Sequence, residues 1–209
     1  MIRVLVIDDH MIIRRGLIQI LSEGAGIADV FEAADGPSGL RLLREQAVDV
    51  VLLDIALGTR DGLDVLAGIR SEFPRLGVIM LSVYPESQFA VRAIRNGANA
   101  YLNKGCDPEE LLAAITKVAA GGVYITPAIA ELLAQNVRLN ASSAPHELLS
   151  NREFQVLKLL AQGRSISEIG QQLALSPNTI STYRSRIFDK LGVRTLVDLI
   201  GYVGSHQLV

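Results

Sequence analysis

Val48-Asp49-Val50-Val51-Leu52-Leu53-Asp54 is a short, almost unbroken apolar run that ends in a carboxylate. A run of this length and valine-leucine content reads as a strand buried on both faces, the kind found in parallel sheets. Outward from it, residues 3–7, 29–33, 77–81 and 99–102 read as further strands, the central one covering 48–53. Amphipathic stretches near 13–22, 36–46, 62–71, 86–95 and 108–120 fill the gaps as helices, with Gly97 a stop signal and Pro108 a start signal. Five βα units in succession predict a doubly wound, flavodoxin-like α/β domain with a parallel five-stranded sheet in the order 2-1-3-4-5.

Gly121-Gly122 ends the fifth helix, residues 127–138 predict a short helix, and Asn140-Ala-Ser-Ser-Ala-Pro145 has the small polar composition of a connector. From Ser150 the strand signals vanish and an all-α, four-helix segment follows. Ser150-Asn-Arg-Glu153 is a capping box ahead of Val156, Leu157, Leu160 and Ala161, which share one helix face as far as Gly163. Ser165-Ile-Ser-Glu168 is a second box ahead of Ile169 and Leu173, and Pro177 opens a third helix running to about Leu191. A fourth helix is expected from Thr195 to about Tyr202, after Gly192. The expected organisation is a front domain over 1–122, a linker with a short helix over 123–146, and a helical domain over 147–209.

The 209 residues are 49% hydrophobic and 20% charged, which excludes global disorder. Lys and Arg number 12 against 16 Asp and Glu in residues 1–125, and 8 against 6 in 126–209, so the front is acidic and the back mildly basic. The first residues run straight from a short apolar stretch into acids, which does not read as a secretory signal, and no run approaches ~18 apolar residues, the length a membrane span needs. Cys106 has no second cysteine to bond, and no Cys/His spacing suggests structural zinc. A soluble protein of the reducing cytoplasm, with no membrane partner, is expected.

In an open α/β sheet, chemistry collects beyond the carboxyl ends of the strands. The first strand runs into Asp8-Asp9 and the third into Asp54, so the order 2-1-3-4-5 gathers three carboxylates in one crevice, where they repel. A hard divalent cation relieves that repulsion, and Mg2+ suits a site with few carboxylates and coordination left open for a phosphoryl oxygen. The fourth strand leads into Ser82 and the fifth is followed by Lys104, adding a hydroxyl and an ammonium at the same rim. With the charge neutralised, Asp54 becomes a candidate nucleophile toward a phosphoryl donor. Taken singly, an Asp after a strand is a common turn former and a Lys is commonly solvated; five such groups at the ends of four strands favour a site. His10 reads as a surface or supporting residue.

Residues 1–120 resemble the receiver domain of two-component response regulators through Val-Leu-Val-Ile-Asp8-Asp9-His10, Val-Val-Leu-Leu-Asp54, Met-Leu-Ser82 and Ala-Asn-Ala-Tyr101-Leu-Asn-Lys104. The resemblance implies that Asp54 is the phosphoacceptor for a sensor histidine kinase, hybrid kinases included, and that Asp8, Asp9, Asp54 and the backbone carbonyl of Ala56 hold Mg2+. It implies that Lys104 pairs with the phosphoryl oxygens, that Ser82 turns inward to bond them, and that Tyr101 swings into the vacated space. Two departures stand out. Leu57-Gly58 replaces the usual Met-Pro, which is expected to loosen the loop carrying the Ala56 carbonyl, and Ser82 replaces the commoner Thr.

In the tail, Ala174-Leu175-Ser176 between two capped helices is a helix-turn-helix signature, the second helix being the one that enters a major groove. Its side away from Ile180, Ile187, Phe188 and Leu191 carries Thr179, Ser181, Thr182, Arg184, Ser185 and Arg186, and Asn178 precedes them. Arg184, Arg186, Lys190 and Arg194 outweigh Asp189, as phosphate neutralisation requires, while Asn178, Thr179, Ser181 and Thr182 can reach bases or backbone. An ordinary helical bundle with a solvated face is the competing interpretation. Leu149-Ser-Asn-Arg-Glu153, Glu168-Ile169 and Leu175-Ser-x-x-Thr179-Ile-x-Thr-Tyr183 with Ile187, Lys190 and Leu191 resemble the LuxR-type DNA-binding domain. Many relatives carry Lys at the position of Ser181 and His at that of Tyr183, so operator preference does not carry over.

Joined in this order the halves resemble the NarL/FixJ-type response regulators, and residues 125–133 with 182–191 are similar to the GacA/UvrY-like subgroup. The resemblance implies promoter DNA and RNA polymerase as partners, and a homodimer formed on phosphorylation or on DNA, with Leu196, Val197, Leu199 and Ile200 as dimer surface. Beyond this limited phosphotransfer chemistry no turnover is expected. A phosphohydrolase working through an aspartyl phosphate calls for an acid two residues after the nucleophile, where this chain has Ala56. A regulator independent of phosphorylation, with its receiver used as a dimer or ligand module, is the remaining alternative.

Overall fold

The computed structural model describes residues 1–209 apart from 58–59, 84, 139–144, 174, 207 and 209. Gly58, most of the 140–145 connector and Ala174 of the predicted turn therefore lie outside the described residues. Five parallel strands, β1 (Ile2–Ile7), β2 (Ile27–Ala33), β3 (Val50–Asp54), β4 (Gly77–Ser82) and β5 (Ala100–Asn103), form one sheet in the order β2-β1-β3-β4-β5. Helices α1 (Met11–Glu23), α2 (Gly36–Glu45), α3 (Gly62–Glu72), α4 (Glu86–Arg95) and α5 (Pro108–Ala119) are the crossovers. Every residue of β3 is buried, as its two-sided apolar run requires.

The central strand starts two residues later than expected, just after Asp49, which is tied to Arg3 of the neighbouring β1. Its carboxylate accepts from the backbone N–H and the guanidinium of Arg3 at 2.8 to 3.2 Å. Register then lines up the functional edge: Ile7 lies opposite Leu53, Asp54 opposite Leu81, and Ser82 opposite Asn103. Asp8, Asp54, Ser82 and Lys104 consequently leave the sheet along one edge.

A short antiparallel hairpin, Ala56–Leu57 with Arg60–Asp61, follows β3 and was not legible in the sequence, its strands being two residues each. It returns the chain to Gly62, whose N–H donates to the Ile55 carbonyl at 2.9 Å. A Cβ at Gly62 would overlap the Asp54 carbonyl oxygen and lie 2.8 Å from Ile55 Cα, so α3 begins against the backbone that carries the acid.

The chain forms two compact units, Met1–Asn140 and Ala141–Val209. The first also holds α6 (Pro127–Arg138), which packs against α4 with Ile129 fully buried. In the second, a 3-10 turn (Pro145–Leu148) precedes α7 (Asn151–Ala161), α8 (Ile166–Leu173), α9 (Pro177–Leu191) and α10 (Leu196–Ser205). Leu149, Val156, Leu157, Leu160, Ile169, Ile180, Ile187, Leu191, Leu199 and Val203 form its core. Among the described residues no helix is long and apolar enough to cross a membrane.

Gly62→Ala should destabilise the first unit by about 2–3 kcal/mol, since the atoms in the way are backbone and cannot rotate aside. Chemical denaturation followed by circular dichroism measures it; an unchanged midpoint would show that the approach of α3 to β3 is loose.

Candidate functional site

Asp8 and Asp54 are almost completely buried at the carboxyl edge of the sheet, 1% and 2% exposed. Two such carboxylates side by side are costly unless a cation answers them. The Lys104 ammonium does so, 2.7 Å from Asp8 Oδ2 and 3.0 Å from Asp54 Oδ2, and is itself buried. Among the described residues, neither oxygen has a donor in good hydrogen-bonding geometry. Asp54 Oδ1 accepts from the Ala56 N–H at 3.2 Å, and Asp8 Oδ1 from the His10 N–H at 2.8 Å.

Burial pushes the Asp54 carboxyl above the ordinary carboxylate range. Lys104 pulls the other way, and Asp8 adds to the upward push. The site thus disfavours a bare negative charge and favours whatever brings positive charge to it.

His10 holds a larger place than its sequence position suggested. Although exposed, its Nδ1 lies 2.8 Å from Asp9 Oδ1, 3.4 Å from Asp8 Oδ1 and 4.0 Å from Asp54 Oδ2. Ligand atoms of Asp8, Asp9, His10 and Asp54 all lie within 4.8 Å of one another, a donor set able to hold a metal ion. Hard oxygens predominate in it, which fits a small divalent cation. Ser82 and Tyr101 are fully buried, and the Lys104 N–H donates to the Ser82 carbonyl at 2.7 Å, tying the ends of β4 and β5. Arg14, absent from the sequence reading, donates to the Asp8 carbonyl at 2.7 Å and pairs with Glu32.

In the second unit, Gly170 lets α8 come close to the chain entering α9: a Cβ there would lie 2.8 Å from the carbonyl oxygen of Leu175, the residue before the Ser176 cap. Ser176 caps α9 by accepting from the Thr179 N–H at 3.1 Å. Asn178, Ser181, Thr182, Arg184, Ser185 and Arg186 are exposed, and Thr179 is half-buried. Thr182 donates to the Asn178 carbonyl, and the Arg184 guanidinium lies 5.1 Å from the centre of the Phe188 ring.

Lys190 has an internal partner. Its ammonium lies 2.6 Å from Oε2 of the buried Glu153, the oxygen that also accepts from Ser150 N–H in the capping box of α7. Lys190 thereby pins the end of α9 to the start of α7. The predicted dimer surface also needs one correction: Leu199 is in the core, whereas Leu196, Val197 and Ile200 are exposed. The helical period sets Leu199 and Val203 on the core face and turns Val197 and Ile200 away from it.

Residues 4–116 match the family described as response regulator receiver domain, and residues 147–203 match the bacterial regulatory proteins of the luxR family. The chain is 36% identical to the response regulator UvrY of Escherichia coli (strain K12) over 209 residues, 100% of this chain and 96% of that one. It is 36% identical to the response regulator GacA of Pseudomonas aeruginosa over 210 residues, 100% of this chain and 98% of that one. In fold it is similar to the response regulator RcsB in a DNA complex, with a TM-score of 0.60 at 24% identity over 98% of each chain.

Two outcomes follow from these geometries. In a chelator, Asp54→Asn should raise the unfolding midpoint at neutral pH, because the folded state holds this carboxyl's proton more tightly than the unfolded state does. The gain should shrink as pH falls from above the raised value toward the ordinary carboxylate range; a variant less stable than the parent throughout would contradict the upward push. Lys190→Ala should cost the second unit about 1–2 kcal/mol, a figure reduced for the partly solvated ammonium, by leaving Glu153 buried and unpaired. Arg186→Ala should stay within about 0.5 kcal/mol, and equal midpoints for the two variants would deny Lys190 its pinning role.

Proposed function

The chain belongs to the response regulators, a receiver domain followed by a LuxR-family DNA-binding domain, and from that premise we propose that phosphorylation of Asp54 by a sensor histidine kinase controls its pairing and its grip on promoter DNA. The observation that carries this reading is the buried pair Asp8 and Asp54 bridged by Lys104 at 2.7 and 3.0 Å. A carboxylate oxygen of Asp54 attacks the phosphorus of a phosphohistidine. The P–N bond breaks, the imidazole leaves as the neutral base after taking up a proton, and an acyl phosphate forms on Asp54. Water later attacks the phosphorus, releasing inorganic phosphate and restoring the carboxylate.

Asp8, Asp9, Asp54 and the Ala56 carbonyl would hold Mg2+, whose positive charge would offset the negative charge of the phosphoryl oxygens. Lys104 transfers its ammonium from the two carboxylates to a phosphoryl oxygen. Ser82 turns its hydroxyl to the same group, and the buried Tyr101 repacks into the space released. Beyond this self-limited chemistry the protein is a regulator rather than an enzyme, acting in the cytoplasm.

In the helical domain, α9 enters the major groove. Asn178, Thr179, Ser181 and Thr182 meet bases or backbone at its first turns, and Arg184, Ser185 and Arg186 meet phosphates. Lys190, anchored by Glu153 and still partly exposed, adds its charge to the DNA-facing side at the end of α9. One such module has a small interface, so two half-sites read by a homodimer supply affinity. Exposed Leu196, Val197 and Ile200 support α10 as the pairing surface, and RNA polymerase is the partner at the promoter. We assign the domains to 1–122 and 147–209, with 123–146 between them.

Intact mass after incubation with acetyl phosphate or phosphoramidate tests the acceptor. One added phosphoryl group is expected, dependent on Mg2+ and lost in Asp54→Asn. A folded protein that gains no mass would overturn the reading and favour a regulator that works without phosphate.

A further inference from the structure

The chain leaving the first unit's last crossover helix is fastened to β5, which carries Tyr101, and to α4, the helix that follows Ser82. Past Gly122, Tyr124 forms a parallel bridge with Ala100 on β5, its N–H donating to the Asn99 carbonyl at 2.9 Å. Ala100 is the neighbour of Tyr101. Two residues beyond Tyr124, the Thr126 hydroxyl lies 3.0 Å from each carboxylate oxygen of Glu86, the first residue of α4. Glu86 follows Ser82, at the end of β4, by four residues. Thr126 Oγ1 also accepts from the Ile129 N–H at 3.2 Å, so the same hydroxyl caps α6. Behind it, Ile129 is fully buried and α6 lies along α4.

One side chain thus ties the start of α4 to the start of α6, and α6 is the last helix before the helical domain. A hydroxyl bonded to a carboxylate is directional and short in reach, so a movement of the first turn of α4 by an ångström or two breaks it. Over 127–135 the apolar residues Ile129, Leu132 and Leu133 are the buried or half-buried ones, and a twelve-residue helix is marginal by itself.

We propose that the Glu86–Thr126 hydrogen bond is a latch: with Asp54 unmodified it holds α6 on α4, and phosphorylation, by drawing Ser82 toward the phosphoryl group, shifts the start of α4, opens the latch and frees α6. The inference rests on the acceptor function proposed for Asp54, and it names the contact through which that site reaches the segment joining the two domains.

Amide hydrogen exchange on the full chain, with intact mass read on the same samples, tests it. In the parent protein, added phosphoryl mass should come with faster exchange in peptides covering 127–135. Thr126→Val should speed exchange there by about fivefold without phosphate, the equivalent of the ~1 kcal/mol lost with a helix cap. Further phosphorylation should then add little, and Thr126→Ser should restore protection. Glu86→Gln weakens the bond while leaving the α6 cap in place, so it too should speed exchange, and should still take up one phosphoryl group. Added mass with unchanged exchange over 127–135 would overturn the latch alone. No added mass in a folded protein would overturn the acceptor reading and the latch's control by it together. A Thr126→Val protein whose α6 stays as protected as the parent's would show that the hydroxyl holds nothing.

Discussion

Everything in the first unit answers to one electrostatic constraint: two carboxylates, Asp8 and Asp54, are buried side by side, and a single ammonium from Lys104 lies between them. A parallel sheet is the frame that makes this possible, because all of its strands end along one edge. The strands β3, β4 and β5 are almost wholly apolar and buried, so their polar groups are forced to the rim. What the rim then stores is an imbalance, two negative charges against one positive, in a place where water screens poorly. Such a site responds sharply to any group that alters its charge, which is the property a phosphorylation switch uses.

The helical unit solves a smaller version of the same problem. Glu153 is buried where its carboxylate caps α7, and a lysine from the far end of α9 neutralises it. The arrangement fixes the angle of the recognition helix against the rest of the domain. It leaves the exposed arginines of α9 for other charges. Gly170 does the complementary work sterically, letting α8 come close to the turn before α9.

Between these two stands a segment whose role is set by where it is tied. Tyr124 joins the sheet edge and Thr126 joins α4, so the chain runs off the two elements next to the acidic site before forming α6. Coupling of this kind needs no long pathway. It needs a contact that exists in one arrangement of α4 and fails in another.

Most of the architecture was legible in the sequence because its causes are local. Apolar runs and helical periods marked the strands and helices, and the capping boxes at Ser150 and Ser165 announced themselves within four residues. The placing of Asp8, Asp9, Asp54, Ser82 and Lys104 along one sheet edge was legible too, since each stands at or just beyond the end of an identifiable strand. The strands of the hairpin after Asp54 were too short to carry a pattern. The clearance demanded at Gly62 depends on how α3 meets β3, and His10 carries no signal of its own beyond its adjacency to two acids. The sequence by itself therefore determined which elements form, their order and the inventory of charged groups at the sheet edge. Only the tertiary structure decided which of those groups meet: Lys190 with Glu153 across 37 residues, and Thr126 with Glu86 across 40. Such pairings are set by packing of distant segments, and a charge or hydroxyl on a helix surface has the same local pattern whether its partner is water or a buried carboxylate.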